Sequence, residues 1–151
     1  KTHMKPIERE MKELIAADSN ICRNYKLLTS IKGVGPITAI VMLCSTLNFT
    51  KITDHRKFAC YCGLAPFEHS SGTSVRGGCH TSSMANRDIK VQLNRSALIA
   101  IRCDPQLKAY YERKVAEGKH KFSVLNAVRA KIAARCFAVV RRGTPYVALQ
   151  I

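Results

Sequence analysis

The stretch that decides the fold is Leu28–Ala39, which reads LTSIKGVGPITA. Gly33 and Gly35 allow the backbone to turn tightly, and Pro36 is well suited to the first position of a helix. Apolar residues at helical spacing lie on both sides of this turn. The stretch therefore predicts two helices joined by a short glycine turn.

Helical periodicity extends from this turn in both directions. Apolar residues recur from Ile7 to Leu28 and predict one amphipathic helix or a pair of helices. Further helices are predicted over 54–62, around Ile89–Ala100, from Pro105 with Asp104 as its cap, and from about Val124 to Gly143. No stretch has a convincing strand pattern. The sequence predicts a single all-α domain of five to seven helices, with residues 1–27 as a connector and 28–151 as the helical domain.

Between the predicted helices lies a long loop rich in serine and glycine, over residues 63–83. A serine on such a loop is a candidate nucleophile if a base or a metal removes its proton and cations hold the phosphate oxygens. Several hydroxyl residues of this loop lie beside glycines and an arginine, and His69 and Arg76 are local candidates for base and cation. The alternative is a connector without catalytic function, in which His69 is a surface histidine.

The charge of the chain points to a polyanionic partner. It has 25 Lys and Arg against 10 Asp and Glu, a net charge of +15, and a pI near 9.9. Such a surplus favours nucleic acid, although a ribosomal or membrane-surface protein shares it. The longest apolar stretch, over 37–44, is too short to span a bilayer. With seven cysteines and no apolar signal core, we expect a cytoplasmic protein that is not inserted in a membrane.

The glycine turn is a second candidate site, because it has the form of a helix-hairpin-helix element. Backbone amides around Gly33, Val34 and Gly35 and the start of the next helix can approach a phosphate, and Lys32 can add a charge-assisted contact. The alternative is a turn that only packs two helices together.

A metal site in this chain is not expected. Cys60, Cys62, Cys79 and His80 are the candidate zinc ligands, but they lack the paired spacing of zinc sites. We expect the cysteines to be small buried hydrophobes. The acidic residues are spread along helix faces and form no cluster for magnesium.

The order of these pieces resembles a known family. The segments LLTSIKGVGPITA, FACYCGLAPFEHSSGTSVRGG, ANRDIKVQLNRSALIAIR and YYERKVAEGKHKFSVLNAVRAKIAARCFAVVRRGTPY are similar, over about Leu27–Tyr146, to the C-terminal domain of transposases of the insertion-sequence 110/116/902 family. Piv/MooV-type DNA invertases belong to the same group.

The resemblance implies a recombinase in two parts. One is an N-terminal RuvC-like nuclease domain that binds Mg²⁺ and lies outside this sequence. The other is this helical domain, whose nucleophile matches Ser71, with Ser70 as the fallback. It also implies the element ends and target DNA as substrates, a guide RNA, and a homo-oligomer. We therefore expect the chain alone to bind nucleic acid without cutting it.

The helix after the loop departs from the family pattern. Asn86 fits, whereas Ala85 and Lys90 do not; Lys90 keeps the charge but not the bidentate fork of an arginine. We expect Arg76, Asn86 and Lys90 to contact nucleic acid. Two alternatives to the recombinase stay open: a non-catalytic helix-hairpin-helix module that binds DNA or RNA, and a basic structural protein of an RNA–protein particle.

Overall fold

The computed structural model describes residues 4–67, 70–71, 75–76, 80–81 and 86–148, and the side chains of 6–65 and 86–148. The described part contains seven helices, which confirms the all-α prediction. They are α1 (Met4–Ala17), α2 (Ser19–Thr29), α3 (Pro36–Thr46), α4 (His55–Tyr61), α5 (Arg87–Cys103), α6 (Pro105–Ala116) and α7 (Lys121–Arg142). None of these described helices is both long and apolar enough to cross a membrane.

Short polar side chains set several helix boundaries. Asp18 Oδ1 accepts hydrogen bonds from the N–H groups of Asn20 and Ile21 at 2.8 and 3.0 Å, so the first amphipathic stretch is a pair of helices. Asp104 caps α6 as expected, by accepting from the Leu107 N–H at 3.0 Å. Helix α7 ends at Gly143, whose φ of 71° lies in the left-handed region.

Helices α5 and α7 form the centre of the fold. They pack against each other; α3 and α6 pack on α5, and α2, α4 and α6 pack on α7. Leu28, Leu93, Val128 and Ile132 are fully buried where these helices meet. Among the described elements α1 contacts α2 alone. The boundary expected after residue 27 lies inside α2, between the buried Leu27 and Leu28.

The loop that follows α4 contains four two-residue strands, which the sequence did not predict. They are β1 (Pro66–Phe67), β2 (Ser70–Ser71), β3 (Val75–Arg76) and β4 (His80–Thr81). Each pairing joins only two residues of one strand to two of another, too few for an alternating apolar pattern to reveal. These strands leave the fold class unchanged.

Candidate nucleic-acid interface and serine arm

The four short strands form two nested antiparallel pairs. Strand β1 pairs with β4, and β2 pairs with β3 between them. The strands within residues 66–81, a segment that we call the arm, therefore form an outer and an inner antiparallel pair. Ser71 lies in the inner pair opposite Val75, and Ser70 lies opposite Arg76. His69 and the side chains of Ser70, Ser71 and Arg76 lie outside the described residues.

Both ends of the arm are hydrogen bonded to the same short helix, α4. Before the arm, the Leu64 and Ala65 N–H groups donate to the Ala59 carbonyl oxygen at 2.8 and 3.3 Å. After it, the Asn86 N–H donates to the Tyr61 carbonyl oxygen at 3.1 Å. The two ends of the arm are thus held near the C-terminal end of α4.

Helix α4 is itself fixed to the core by aromatic packing. Phe58 is fully buried, and its ring centroid lies 5.3 Å from that of Phe137 on α7. The Phe137 ring also meets Phe49 edge to face at 4.9 Å. Such pairs add to the burial of large apolar side chains. The arm therefore starts and ends on a well-packed support.

Asn86, one of the predicted nucleic-acid contacts, caps α5. Its Oδ1 accepts hydrogen bonds from the Asp88 and Ile89 N–H groups at 3.1 and 3.3 Å, and its Nδ2 donates to the Tyr61 hydroxyl at 3.3 Å. These bonds join the start of α5 to the end of α4. Lys90 follows in the first turn of α5 and is half-exposed. Nucleic-acid contacts by Asn86 and Lys90 stay predictions.

A positive charge lies at the base of the arm. Arg129 on α7 donates to Asn94 Oδ1 from Nε at 3.1 Å and from Nη2 at 2.6 Å, and to Asn126 Oδ1 at 3.4 Å. Asn126 in turn donates to the Leu64 carbonyl oxygen at 2.8 Å, just before the arm. Burial lowers the pKa of Arg129, but a guanidinium remains charged at neutral pH. Its partners within residues 6–65 and 86–148 are neutral.

Arg129 was not among the site residues inferred from sequence. Its role depends on the packing of α5 against α7, which places Asn94 beside it, whereas Asn126 lies three residues before it on α7. The available signal in the sequence was the occurrence of Asn94 and Asn126 next to the apolar stripes of these helices.

One part of the glycine turn is packed against the core and another part is exposed. Gly33 has a φ of 93°, and a Cβ atom built on it would lie 2.7 Å from both the Ala100 Cβ and the Ser96 carbonyl oxygen of α5. Val34 is buried. Gly33 and Val34 therefore pack the turn against the core, whereas Lys32 is exposed.

Gly35 lies on the open side of the same turn. It is the N-cap of α3, where no side chain accepts a hydrogen bond from the helix. A Cβ built on Gly35 would meet no atom within 4 Å. The first amides of a helix carry partial positive charge and bind anions. Of the turn residues, Lys32 and Gly35 lie on the open side, and phosphate contacts by the turn stay a prediction.

Comparison with known proteins decides the family. The family model described as "Transposase IS116/IS110/IS902 family" matches residues 25–112, which include the glycine turn, α4 and the arm. This chain belongs to that transposase family. Proteins of two insertion elements and a pilin gene-inverting protein are among its relatives.

The relatives are longer than this chain. It is 39% identical over 121 residues to the insertion element IS110 uncharacterized 43.6 kDa protein of Streptomyces coelicolor, covering 80% of this chain and 29% of that protein. It is 23% identical over 141 residues to the pilin gene-inverting protein of Moraxella bovis, covering 93% and 44%. The insertion element IS900 uncharacterized 42 kDa protein of Mycobacterium paratuberculosis is 28% identical, at 83% and 35% coverage. The chain thus spans less than half the length of these relatives.

For this transposase-family chain, the described residues do not provide a metal site. No group of three or more His, Cys, Asp or Glu side chains within them is placed to hold an ion. Cys62 is buried, and burial raises the pKa of its thiol to about 12, so it stays protonated at neutral pH. The expectation that Cys60 is also buried is wrong: it is exposed because it lies on the outer face of α4. Cys79 and the His80 side chain lie outside the described residues.

Proposed function

We propose that this chain is the DNA-binding and nucleophilic domain of an insertion-sequence transposase or site-specific recombinase. Ser71 is the proposed nucleophile and Ser70 the fallback. The observation that carries the proposal is the arm, since its serines lie on a paired strand and the chain on both sides of the arm is hydrogen bonded to α4. Family membership supplies the reaction class, because a relative is a gene-inverting protein.

The proposed chemistry is a phosphoryl transfer to the serine. Ser71 Oγ forms a bond to a DNA phosphorus while a bond from that phosphorus to a deoxyribose oxygen breaks. The serine proton passes to water or a base, and the departing oxygen takes up a proton. Charge accumulates on the phosphate oxygens and needs cations. Arg76, opposite Ser70 in the strand register, and Arg129 at the base of the arm are the candidates.

The proposal includes a RuvC-like domain in the full-length protein, with Mg²⁺ bound there. The ion would stabilise developing negative charge and activate an attacking group. Several described acidic residues of this chain already pair with bases on the same helix, as in Glu13 with Arg9 and Glu112 with Lys108. We therefore expect this chain to bind nucleic acid but not to cut it alone.

We further propose a guide RNA, DNA ends and target, and a homo-oligomer as partners of the active protein, which would act on cytoplasmic DNA. The net charge of +15 supports nucleic-acid partners. The first helix supports self-association, because Ile7 is 56% and Leu14 73% exposed. Leu14→Glu should lower the sedimentation coefficient of an oligomer, and Lys12→Glu on the same helix serves as the charge control. An unchanged oligomer in Leu14→Glu would exclude α1 from self-association.

The experiment for the nucleophile joins this chain to its RuvC-like domain and adds Mg²⁺, guide RNA and end-labelled DNA. The product sought is a protein–DNA adduct that survives denaturation. Ser71→Ala should abolish the adduct, while Thr73→Ala, a matched hydroxyl loss on the arm, should retain it. If Ser70→Ala abolishes the adduct and Ser71→Ala retains it, Ser70 is the nucleophile. No adduct from wild-type protein that binds the DNA would overturn the nucleophile proposal.

A second candidate function is a non-catalytic helix-hairpin-helix module for DNA or RNA. The uncapped start of α3 beside the open Gly35 favours it. This function requires that Ser71→Ala leave binding unchanged and that no adduct form under any condition. Binding alone does not separate the two candidates, so the adduct is the deciding measurement.

A further inference from the structure

Helices α6 and α7 border a groove that no part of the proposed reaction uses. One hollow, of about 650 Å³, is lined by Tyr110 and Lys131 among others. A second, of about 370 Å³, is lined by Tyr146 and Arg142 among others. Arg135 lines both hollows. The two are therefore parts of one groove that runs along α7.

Aromatic rings hold the cations of this groove. Lys131 Nζ lies 4.4 Å from the centroid of the Tyr110 ring, and Arg113 Cζ lies 5.9 Å from the same centroid. At the other end, Arg135 Cζ lies 4.8 Å from the centroid of Tyr146. Cations at these distances are attracted to the ring face. The rings thus orient positive charge before any ligand arrives.

The groove also carries positive charge that acidic residues do not balance. Arg135 is paired with the buried Asp104, and Arg113 lies 3.8 Å from Glu117. Lys131 and Arg142, by contrast, form no ion pair with the described carboxylates. They are separated by eleven positions on α7, or about 16 Å at the rise of an α-helix. A polyanion that follows the groove meets both cations.

The shape of the groove selects a single strand. Packed helices lie with their axes about 8–10 Å apart, so the hollow between α6 and α7 is too narrow for a nucleic-acid duplex. The second hollow lies mainly between α7 and the segment that contains Tyr146 and Val147. Ala134 and Ala138 lie along its α7 side and leave space between the cations. Sites for single strands combine a positively charged groove with aromatic side chains, and this groove contains both.

We propose that the α6–α7 groove binds a single nucleic-acid strand, with Lys131 and Arg142 contacting its phosphates and Tyr110 positioning Lys131. This inference rests on the proposed function of the chain as a nucleic-acid-acting domain. The shared chemistry is a phosphodiester chain with unpaired bases, and the source is either a DNA strand or an RNA strand.

The test measures binding of fluorescent oligo(dT), oligo(rU) and a DNA duplex, each of about twenty nucleotides, a length that spans at least one single-strand site. The variant is Lys131→Gln with Arg142→Gln. The control is Lys12→Gln with Arg23→Gln, which removes the same two charges from exposed positions on α1 and α2. All four positions are exposed, so we expect each double variant to fold, as circular dichroism would verify.

The groove variant should bind a single strand about tenfold more weakly than the control. The slope of log affinity against log salt should fall by about 1.4, because each phosphate contact on a single strand contributes about 0.7. Affinity for the duplex should match that of the control. A loss confined to oligo(dT) or to oligo(rU) supports the groove and identifies its strand.

Three outcomes overturn part or all of this inference. If wild-type chain binds none of the probes, the proposed function fails along with it. If wild type binds but the groove variant equals the control, the groove proposal alone fails. An equal loss on duplex and single strand would show general electrostatics and remove the single-strand assignment.

Tyr110 supplies a second, independent test. Tyr110→Phe keeps the ring that faces Lys131 and should retain wild-type affinity for the single strand. Tyr110→Leu keeps apolar bulk but loses the ring, and should weaken binding several-fold. Equal affinities for Tyr110→Leu and Tyr110→Phe would remove the proposed role of the ring.

Discussion

Gly33 lies directly against Ala100: a Cβ atom on Gly33 would stand 2.7 Å from the Ala100 Cβ. The turn between α2 and α3 therefore approaches α5 as closely as a backbone without a side chain allows. The φ of Gly33 is 93°, a backbone conformation that residues with a side chain rarely adopt. The first glycine of the motif therefore has a packing role, whatever the motif binds.

Gly33→Ala should destabilise the protein by about 2–4 kcal/mol, the sum of left-handed backbone strain and a clash in a packed core. Urea unfolding measures this change. Gly35→Ala is the matched control, because a methyl group there meets no neighbour, and its free energy of unfolding should stay within about 1 kcal/mol of wild type. Equal losses for the two variants would contradict the packing role of Gly33.

Gly35 also gives a binding test that is separate from folding. If a phosphate approaches the start of α3, Gly35→Ala should weaken DNA binding several-fold at unchanged stability. Lys32→Gln should also weaken DNA binding. The slope of log affinity against log salt should fall by the contribution of about one phosphate contact. Fluorescence anisotropy at several salt concentrations measures both effects. Unchanged binding in both variants would leave the turn with a packing role only.

Asp104 and Arg135 should make stability depend on pH. Burial raises the pKa of Asp104, but hydrogen bonds from the Leu107 N–H and from Arg135 outweigh it and hold that pKa below its ordinary value of 3.8. Because the folded-state pKa is the lower one, the stabilisation is present above pH 3.8 and is lost as pH falls through the folded-state value. Wild-type protein should lose more stability between pH 6 and pH 3 than Asp104→Asn does.

Removal of one partner of the Asp104–Arg135 pair should also lower the free energy of unfolding strongly at neutral pH. Asp104 is 1% exposed, and its Oδ2 lies 2.7 Å from Arg135 Nη1. Asp104→Ala leaves the Arg135 guanidinium, whose side chain is only 16% exposed, without its carboxylate partner. It also removes the α6 cap, so we expect a loss of about 3–5 kcal/mol. Glu112→Ala, which breaks an exposed pair with Lys108, should cost less than about 1 kcal/mol. Urea unfolding measures both losses. Similar losses for Asp104→Ala and Glu112→Ala would contradict the expected difference between the two ion pairs.

Asn86 allows capping to be separated from nucleic-acid contact. Asn86→Ala should destabilise the fold by about 1 kcal/mol through loss of the α5 cap. Asn86→Asp keeps an oxygen for the Asp88 and Ile89 N–H groups, so it should retain most of that stability. The added negative charge should nevertheless weaken DNA binding if Asn86 lies near a phosphate. Wild-type affinity in a stable Asn86→Asp variant would exclude that contact.

The cysteines should differ in reactivity according to burial. Cys62 has a pKa raised to about 12 by burial, and Cys136 is fully buried. Cys60 and Cys103 are exposed. Iodoacetamide should therefore modify Cys60 and Cys103 in the folded protein, but Cys62 and Cys136 only after denaturation. Tandem mass spectrometry of tryptic peptides resolves each site, and rapid modification of native Cys62 would be inconsistent with the fold.

Local sequence signals predicted the elements well because local chemistry forms them. Pro36 begins α3 through its fixed φ. Asp104 caps α6 and Gly143 ends α7 through hydrogen bonds within a few residues. Asp18 caps α2 by the same kind of hydrogen bond. However, the helical spacing of apolar residues continues across Asp18, so the sequence did not decide between one helix and a pair of helices.

Features that depend on distant parts of the chain could not be predicted in this way. Arg135 meets Asp104 across 31 positions, and Gly33 meets Ala100 across two intervening helices. Both contacts exist only after the helices pack. The family resemblance pointed to Ser71, but the paired strands around it carry too few residues to leave a pattern.

The attachment of both ends of the arm to α4 has an evolutionary consequence. The ends are brought together by backbone bonds at residues 65 and 86, so the chain between them is a closed loop whose closure is set by the core. Lengthening such a loop twofold adds only about 0.6 kcal/mol of entropic cost. The arm can therefore change in length and sequence during evolution at little cost to the stability of the helical scaffold.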